Sequence, residues 1–225
     1  MKKKIEIMDT TLRDGEQTSG MSFSKHEKLT ISKLLIQELK VDRIEVASAR
    51  VSEGEFQAVK SIIEWARSNN FEKKVEILTF IDNGISIDWI KRAGAKVQNL
   101  LSKGSLNHLK YQLKKTPKQH FEDIKKILLK AKEIDVDTNV YLEDWSNGMK
   151  NSKNYVFDFI DFLSNQSVKR ILLPDTLGVL NPSESYDFIN EVVIKYPEIH
   201  FDFHAHNDYD LSVANALEGL KAGCH

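Results

Sequence analysis

Side chains that could do chemistry lie at both ends of this 225-residue chain. Near the start, Arg13 and Asp14 adjoin each other, and near the end His204 and His206 are two residues apart. Residues two apart on a strand point to the same face of a sheet. Imidazole nitrogen suits Zn, Mn and Fe ions, and carboxylate oxygen suits Mg and Mn. We therefore expect Asp14, His204 and His206 to bind one divalent metal ion.

Each of these residues also has a plainer interpretation. Arg13 and Asp14 could form an ordinary salt bridge in a surface turn, and the two histidines could be part of a polar rim. In the chemical interpretation, Arg13 stabilises negative charge that develops on the oxygen of a bound carbonyl group. Glu45 lies within an apolar segment and, if buried, needs a partner. Arg13 is the natural one, although a structural hydrogen bond would also satisfy Glu45.

Further candidates follow other apolar segments. Glu143 and Asp144 are adjacent acids, of which we expect Glu143 to face the site and Asp144 to face solvent; both could instead be solvated. Thr176 could donate a hydrogen bond to a substrate carboxylate, or it could only stabilise its turn. His108 could face the site or solvent.

The segments that must position these residues alternate between strand and helix patterns. Apolar runs predict seven strands, at residues 5–8, 43–47, 75–80, 95–101, 136–142, 170–173 and 199–203. Helix starts are indicated by capping residues at Ser24, Thr116 and Asn181, and one helix is expected to bury Leu29, Leu34, Leu35 and Leu39. Strands that alternate with helices imply a parallel sheet.

Two architectures suit this pattern, a doubly wound open sheet and a (β/α)8 TIM barrel. A glycine-rich phosphate loop would favour the open sheet, and none follows the first strand. Polar residues at the exits of many strands favour the TIM barrel. An eighth strand is not predicted, so we expect residues 1–225 to be one catalytic barrel domain, present as a truncated or fragmentary chain.

Composition limits the partners. The formal net charge of −1 gives no electrostatic reason to expect nucleic acid or an acidic membrane. A single cysteine excludes a disulfide framework, and no apolar run suits a membrane span. We expect a cytoplasmic protein with a solubilising arm at Lys2-Lys3-Lys4.

Together the motifs resemble a known family. Residues 9–17 read Asp-Thr-Thr-Leu-Arg-Asp-Gly-Glu-Gln, residues 204–208 read His-Ala-His-Asn-Asp, and residues 175–178 read Asp-Thr-Leu-Gly. This combination resembles the metal-dependent TIM-barrel enzymes that include 2-isopropylmalate synthase, homocitrate synthase, citramalate synthase and 3-hydroxy-3-methylglutaryl-CoA lyase. The wording of the first two motifs looks more like the synthases than the lyase.

The resemblance implies a reaction and a set of roles. It implies an acyltransferase that condenses acetyl-CoA with an α-keto acid, as in leucine biosynthesis, using Mg, Mn or Zn; a homodimer is also expected. Asp14, His204 and His206 would be the metal ligands, Arg13 would polarise the keto oxygen, and Glu45 would hold Arg13. Glu143 would be a site acid. Gln17, Thr176 and His108 would contact the substrate. The alternatives are a citramalate or homocitrate synthase, carbon–carbon bond cleavage by a lyase like that of HMG-CoA, and a non-catalytic barrel that binds metal.

Overall fold

The computed structural model describes residues 4–225, so Lys2 and Lys3 of the expected basic arm lie outside the described residues. The strands in this part of the chain are β1 (Met8–Asp9), β2 (Arg43–Ser48), β3 (Val75–Phe80), β4 (Val97–Lys103), β5 (Asp137–Glu143), β6 (Ile171–Asp175) and β7 (Phe201–Ala205). The α-helices are α1 (Lys25–Lys33), α2 (Glu53–Ser68), α3 (Ile85–Ala93), α4 (Leu106–His108), α5 (Pro117–Glu133), α6 (Trp145–Asn151), α7 (Lys153–Ser164), α8 (Pro182–Lys195) and α9 (Ser212–Ala222).

The described chain comprises two compact units. The N-terminal unit consists of Glu6–Leu100 and Leu129–Thr138. The C-terminal unit consists of Leu101–Leu128 and Asn139–His225, together with residues 4–5. β4 and β5 each have residues in both ranges. The expectation of one catalytic domain stays a prediction.

Within the N-terminal unit the strands are parallel and follow sequence order, from β1 through β2 and β3 to the first residues of β4 and β5. Met8 is paired with Arg43, and Ile44 with Val75. The register between β2 and β3 shifts between Glu45 and Ala47, which marks a β-bulge at the intervening residue. Parallel order brings the strand exits to one edge of this unit's sheet.

Within the C-terminal unit the order continues from the last residues of β4 and β5 to β6 and β7. The pairs β5–β6 and β6–β7 are parallel, with Val140 beside Ile171 and Pro174 beside His204. The exits of these strands therefore lie at one edge of the C-terminal unit's sheet.

The predicted helices form where their sequence signals lie. Ser24 and Asn181 cap α1 and α8 through complete capping boxes, and the Thr116 hydroxyl accepts from Gln119 N before α5. α2 buries an apolar face that includes Phe56, Val59, Ile62, Ile63 and Ala66, at helical spacing. At the end of α9, Gly223 adopts a φ of 109°, a left-handed conformation suited to glycine.

Two sequence predictions about the strands and helices were wrong. The first strand is Met8–Asp9 rather than 5–8, and Ile5 and Ile7 are exposed. The predicted leucine stripe after Ser24 is not a buried face, because Leu34 and Leu39 are exposed.

The buried face of that helix instead presents Lys28, Ser32 and Ile36. Residues Leu34–Glu38 form a π-helical turn, which rotates the side chains away from regular α-helical spacing.

A membrane-spanning helix is absent from residues 4–225, since none there combines the necessary length and apolarity.

Candidate active site and metal centre

The loop after β1 is a tight turn built by its own polar residues. The backbone N–H groups of Arg13, Asp14 and Gly15 all donate to the carbonyl oxygen of Thr10, at 3.0, 2.8 and 3.2 Å. The Asp9 carboxylate accepts from Thr11 N at 2.9 Å. These bonds fix where the backbone of Arg13 and Asp14 leaves the strand.

Arg13 lies between two carboxylates of the N-terminal unit. Its Nε donates to Glu45 Oε2 at 2.5 Å, and its Nη1 donates to Asp14 Oδ1 at 2.7 Å. Glu45 is fully buried, and its other oxygen accepts from Asn99 Nδ2 at 2.7 Å. A buried carboxylate requires such partners. The expected pairing of Arg13 with Glu45 is therefore present.

A cavity of about 360 Å³ opens beside this arrangement in the N-terminal unit. Its lining includes Arg13 and Gln17, with Ser48 and Ser52 from β2 and the segment before α2. The guanidinium group and the hydroxyls give this cavity donors for an anionic or carbonyl oxygen. Gln17 is exposed, and its expected contact with substrate stays a prediction.

The two histidines of the C-terminal unit lie side by side. The rings of His204 and His206 stack with centroids 4.9 Å apart and planes 14° apart. Both residues are half-buried. The backbone N–H of His206 donates to the carbonyl of Asp175 at 3.4 Å, at the exit of the neighbouring strand β6.

The opposite face of β7 meets a helix. A Cβ added at Gly219 of α9 would lie 3.0 Å from the Phe203 ring, so Phe203 packs against α9. The alternation along β7 thus directs the two imidazoles away from α9 and towards one common side.

The HMGL-like family model matches residues 4–225. The chain belongs to the HMGL-like family. Among curated proteins, 2-isopropylmalate synthase of Sulfurisphaera tokodaii is 33% identical over 231 residues, covering 98% of this chain and 55% of the relative. The enzyme of the same name from Pyrococcus furiosus is also 33% identical, covering 99% of this chain and 44% of the relative. This HMGL-like chain thus spans about half the length of the curated relatives it matches.

Solved structures show the fold of this HMGL-like chain. HMG-CoA lyase of Bacillus subtilis superposes with a TM-score of 0.80 at 18% identity, covering 98% of this chain and 74% of that one. The carboxyl transferase domain of Rhizobium etli pyruvate carboxylase superposes with a TM-score of 0.73 at 13% identity, covering 98% and 38%. The TIM-barrel fold class expected from the sequence is confirmed, with seven of its strands in residues 4–225.

In this HMGL-like chain two adjacent acids lie at the exit of β5, and one of them, Asp144, differs from expectation. Glu143 forms an ion pair with Lys103 at the end of β4. Asp144 does not face solvent, as predicted, but is 1% exposed. It accepts from Ser105 Oγ at 2.6 Å and from Asn147 Nδ2 at 2.8 Å. The φ of 65° at Asp144 turns its side chain inwards, which sequence spacing does not reveal.

The two remaining candidates of the C-terminal unit lie around Asp144. The Thr176 hydroxyl accepts from Asp144 N at 2.9 Å, so Thr176 stabilises the turn and keeps its own proton for donation. His108 Nε2 lies 3.5 Å from Asp144 Oδ2. Thr176 and His108 thus both contact Asp144. Their contacts with substrate stay predictions.

The segments after β6 and β7 are held by their own polar residues. Asp175 is fully buried and accepts from Val179 N at 3.1 Å and Leu180 N at 3.0 Å. Asn207 Oδ1 accepts from Ser212 N at 3.1 Å. Asn207 therefore holds Ser212, the first residue of α9, in place.

Sequence reasoning missed Asn99 and Lys103, the direct partners of Glu45 and Glu143. A signal for Asn99 was available, since a polar residue inside the apolar segment of β4 needs a buried partner just as Glu45 does. Lys103 carried no comparable signal, because a lysine at a strand end is ordinarily solvated.

Proposed function

We propose that the protein containing this chain condenses acetyl-CoA with an α-keto acid at a divalent metal ion, as a 2-isopropylmalate-synthase-type acyltransferase. The observation that carries this proposal is the 33% identity to proteins named 2-isopropylmalate synthase over 98% of the chain. The arrangement of Arg13 between two carboxylates is what such chemistry needs, because a developing oxyanion requires a positioned cation.

Asp14, His204 and His206 are the proposed metal ligands. In support, all three side chains are half-buried, and each offers a ligand atom of a kind that binds divalent ions. One carboxylate with two imidazoles fits Mn or Zn well, and Mg less well. When bound, the ion would supply Lewis acidity for the ketone and carboxylate oxygens of the α-keto acid.

Arg13 is proposed to stabilise the keto oxygen as it gains negative charge. Its Nε is held by Glu45, which is itself held by Asn99. A guanidinium that is already oriented loses little energy to reorganisation when charge develops. Glu45 is accordingly proposed as a positioning residue for Arg13.

Glu143 is proposed as the acid of the site. Its ion pair with Lys103 restrains the carboxylate at the strand exit. The Thr176 hydroxyl can donate to a substrate carboxylate while it accepts from Asp144 N. Gln17, on the rim of the cavity, and His108 are proposed as further substrate contacts.

The identity of the keto acid and of the metal is tested together. The protein at its natural length is stripped with a chelator, reloaded with Mg, Mn or Zn, and assayed for free thiol with acetyl-CoA and a panel of α-keto acids. We expect thiol release that depends on both the metal and one branched or short keto acid. No release with any keto acid, together with cleavage of 3-hydroxy-3-methylglutaryl-CoA, would contradict the synthase proposal and favour the lyase.

From the family resemblance we also propose that the protein acts in the cytoplasm as a homodimer. Light scattering at working concentration measures the mass directly. A mass of one chain would exclude the dimer.

A further inference from the structure

A buried lysine lies between the two backbone segments that carry Arg13 and Glu45. The side chain of Lys28, on α1, is only 1% exposed. Its Nζ lies 3.2 Å from the carbonyl oxygen of Leu12 and 3.4 Å from that of Val46. Leu12 directly precedes Arg13, and Val46 directly follows Glu45. One ammonium group therefore contacts both segments.

The contact with Val46 coincides with an irregularity in β2. The register against β3 shifts between Glu45 and Ala47, so Val46 is the extra residue of the bulge. A bulged residue is displaced from the regular ladder, and its buried carbonyl needs a donor from elsewhere. Lys28 supplies that donor at the residue next to Glu45.

Two acids neutralise the ammonium group. Glu16 Oε2 lies 2.6 Å from Lys28 Nζ, and Glu55 of α2 forms a second ion pair with it. The other oxygen of Glu16 accepts from Phe23 N at 2.8 Å. Lys28 thus joins α1, α2, the loop after β1 and the bulge of β2, all within the N-terminal unit.

We propose that Lys28 is a positioning residue for the Arg13–Glu45 pair: by donating to the carbonyls of Leu12 and Val46, it sets the separation at which the guanidinium and the carboxylate meet. This role rests on the proposed function, since positioning matters for turnover only if Arg13 acts on substrate. The competing interpretation is that Lys28 stabilises the fold and nothing else.

The variants must separate these interpretations. Lys28→Met combined with Glu55→Gln removes the ammonium donors and the less exposed of the two carboxylates that they neutralise, while the volumes stay similar. Burial raises the pKa of Glu55 even beside Lys28. Without its cation this acid would destabilise the protein by itself, and that effect would be mixed with the loss of the two carbonyl contacts. Ile36→Ala is the matched control, because Ile36 is buried further along the same helical segment and its truncation lowers stability without touching either carbonyl.

The first measurement needs no substrate. In protein with 15N-labelled arginine, the Nε–H resonance of Arg13 is identified by its loss in Arg13→Lys, and its exchange with solvent is followed by NMR. The bond to Glu45 slows this exchange. We expect exchange at least tenfold faster in Lys28→Met/Glu55→Gln and unchanged in Ile36→Ala. Wild-type exchange in the folded double variant would overturn the proposal.

A second variant covers the case in which the double variant does not fold. Lys28→Arg keeps the charge that Glu16 and Glu55 neutralise, but a planar fork cannot donate from one point to both carbonyls. We expect it to fold and to exchange the Arg13 Nε–H at least threefold faster than wild type. An unchanged rate would overturn the proposal.

The second measurement is kinetic. We expect the double variant to lower kcat at least tenfold in the wild-type background, but less than threefold in an Arg13→Lys background, because both changes act through the same guanidinium. Equal losses in the two backgrounds would mean a merely structural role. If the wild-type protein condensed no keto acid, the proposed function would fail while the exchange measurement still tested the positioning of Arg13.

Discussion

Arg13 donates through Nε to a carboxylate oxygen of Glu45 that lies 2.5 Å away, inside the N-terminal unit. Glu45 has no exposed surface, and its second oxygen accepts from Asn99. A buried charge of this kind is stable only with its cation and its hydrogen bonds in place. Glu45 therefore determines where the guanidinium lies, and this relationship leads to the first two predictions.

Glu45→Gln is expected to lower both stability and turnover. An amide has one acceptor oxygen for two donors, so its NH2 group must face either Arg13 or Asn99. We expect the free energy of unfolding to fall by about 1–3 kcal/mol and kcat to fall roughly 100-fold through misplacement of Arg13. Denaturant titration and the thiol assay measure these changes. Glu53→Gln, at an exposed site on α2, is the control and should change neither.

Arg13→Lys is expected to retain metal binding and to lose most turnover. Lysine presents a point-like ammonium that cannot reproduce the fork of donors to Glu45 and Asp14. We expect kcat to fall by about 10²–10³-fold, with metal affinity unchanged in a calorimetric titration. The exposed Arg50, paired with Asp82, provides the matched Arg→Lys control. A near-normal rate in Arg13→Lys would contradict the role of the guanidinium.

Asp14→Ala and His206→Ala are each expected to abolish metal binding. Each removes one of three proposed ligands, and the two that remain cannot hold a divalent ion against water. Titration of the chelator-stripped protein with Mn and with Zn measures the affinity, and the exposed His26→Ala is the control. If either variant kept the wild-type affinity, its ligand role would be refuted.

Gly104→Ala is expected to destabilise the exit of β4 next to Glu143. A Cβ at Gly104 would overlap the carbonyl oxygen of Leu142 and lie 3.0 Å from that of Glu143. Backbone atoms cannot give way as a flexible side chain can, so we expect a loss of at least about 2 kcal/mol in unfolding free energy.

Gly54→Ala is the matched control for this change. A Cβ at Gly54 in α2 meets only Ser52 Oγ, at 3.7 Å, and alanine favours the helix by up to about 1 kcal/mol. Equal stabilities of the two alanine variants would contradict the steric argument.

His120 is expected to make stability fall in mild acid. It is buried on α5, with Nδ1 3.0 Å from the Tyr155 hydroxyl. Burial, with a smaller effect of Lys115, lowers the pKa of His120 from 6.5 to about 4. Between these values the unfolded chain binds the additional proton. The contribution is therefore complete above pH 6.5 and is lost as the pH falls towards 4.

From pH 7 to pH 5 this titration should cost about 2 kcal/mol of unfolding free energy. Denaturant titrations at both pH values, on wild type and on His120→Gln, measure the difference. The variant should lose this part of the pH dependence. The same acid sensitivity in both proteins would exclude His120 as its source.

Much of the fold was predictable because it depends on local patterns. The bounds of β3 agree with prediction, and capping residues located the starts of α1, α5 and α8. The first strand and the leucine stripe of α1 were predicted wrongly. In both cases apolar side chains remain exposed in the described structure, and periodicity alone cannot tell an exposed leucine from a buried one. α6 begins directly after Asp144, and no capping or periodicity signal in the sequence predicted this helix.

The sequence by itself determined which residue types were available: a guanidinium beside a carboxylate, an acid inside a strand, and two imidazoles one pleat apart. These features can be read from the sequence because they depend only on the order of residues in the chain and on the two-residue period of a strand. Only the tertiary structure decided that Asn99 and Lys103 are the partners of Glu45 and Glu143, that Asp144 turns inwards, and that Lys28 bridges the carbonyls of Leu12 and Val46. These contacts join residues distant in sequence, and the packing of strands and helices, rather than any local propensity, selects them.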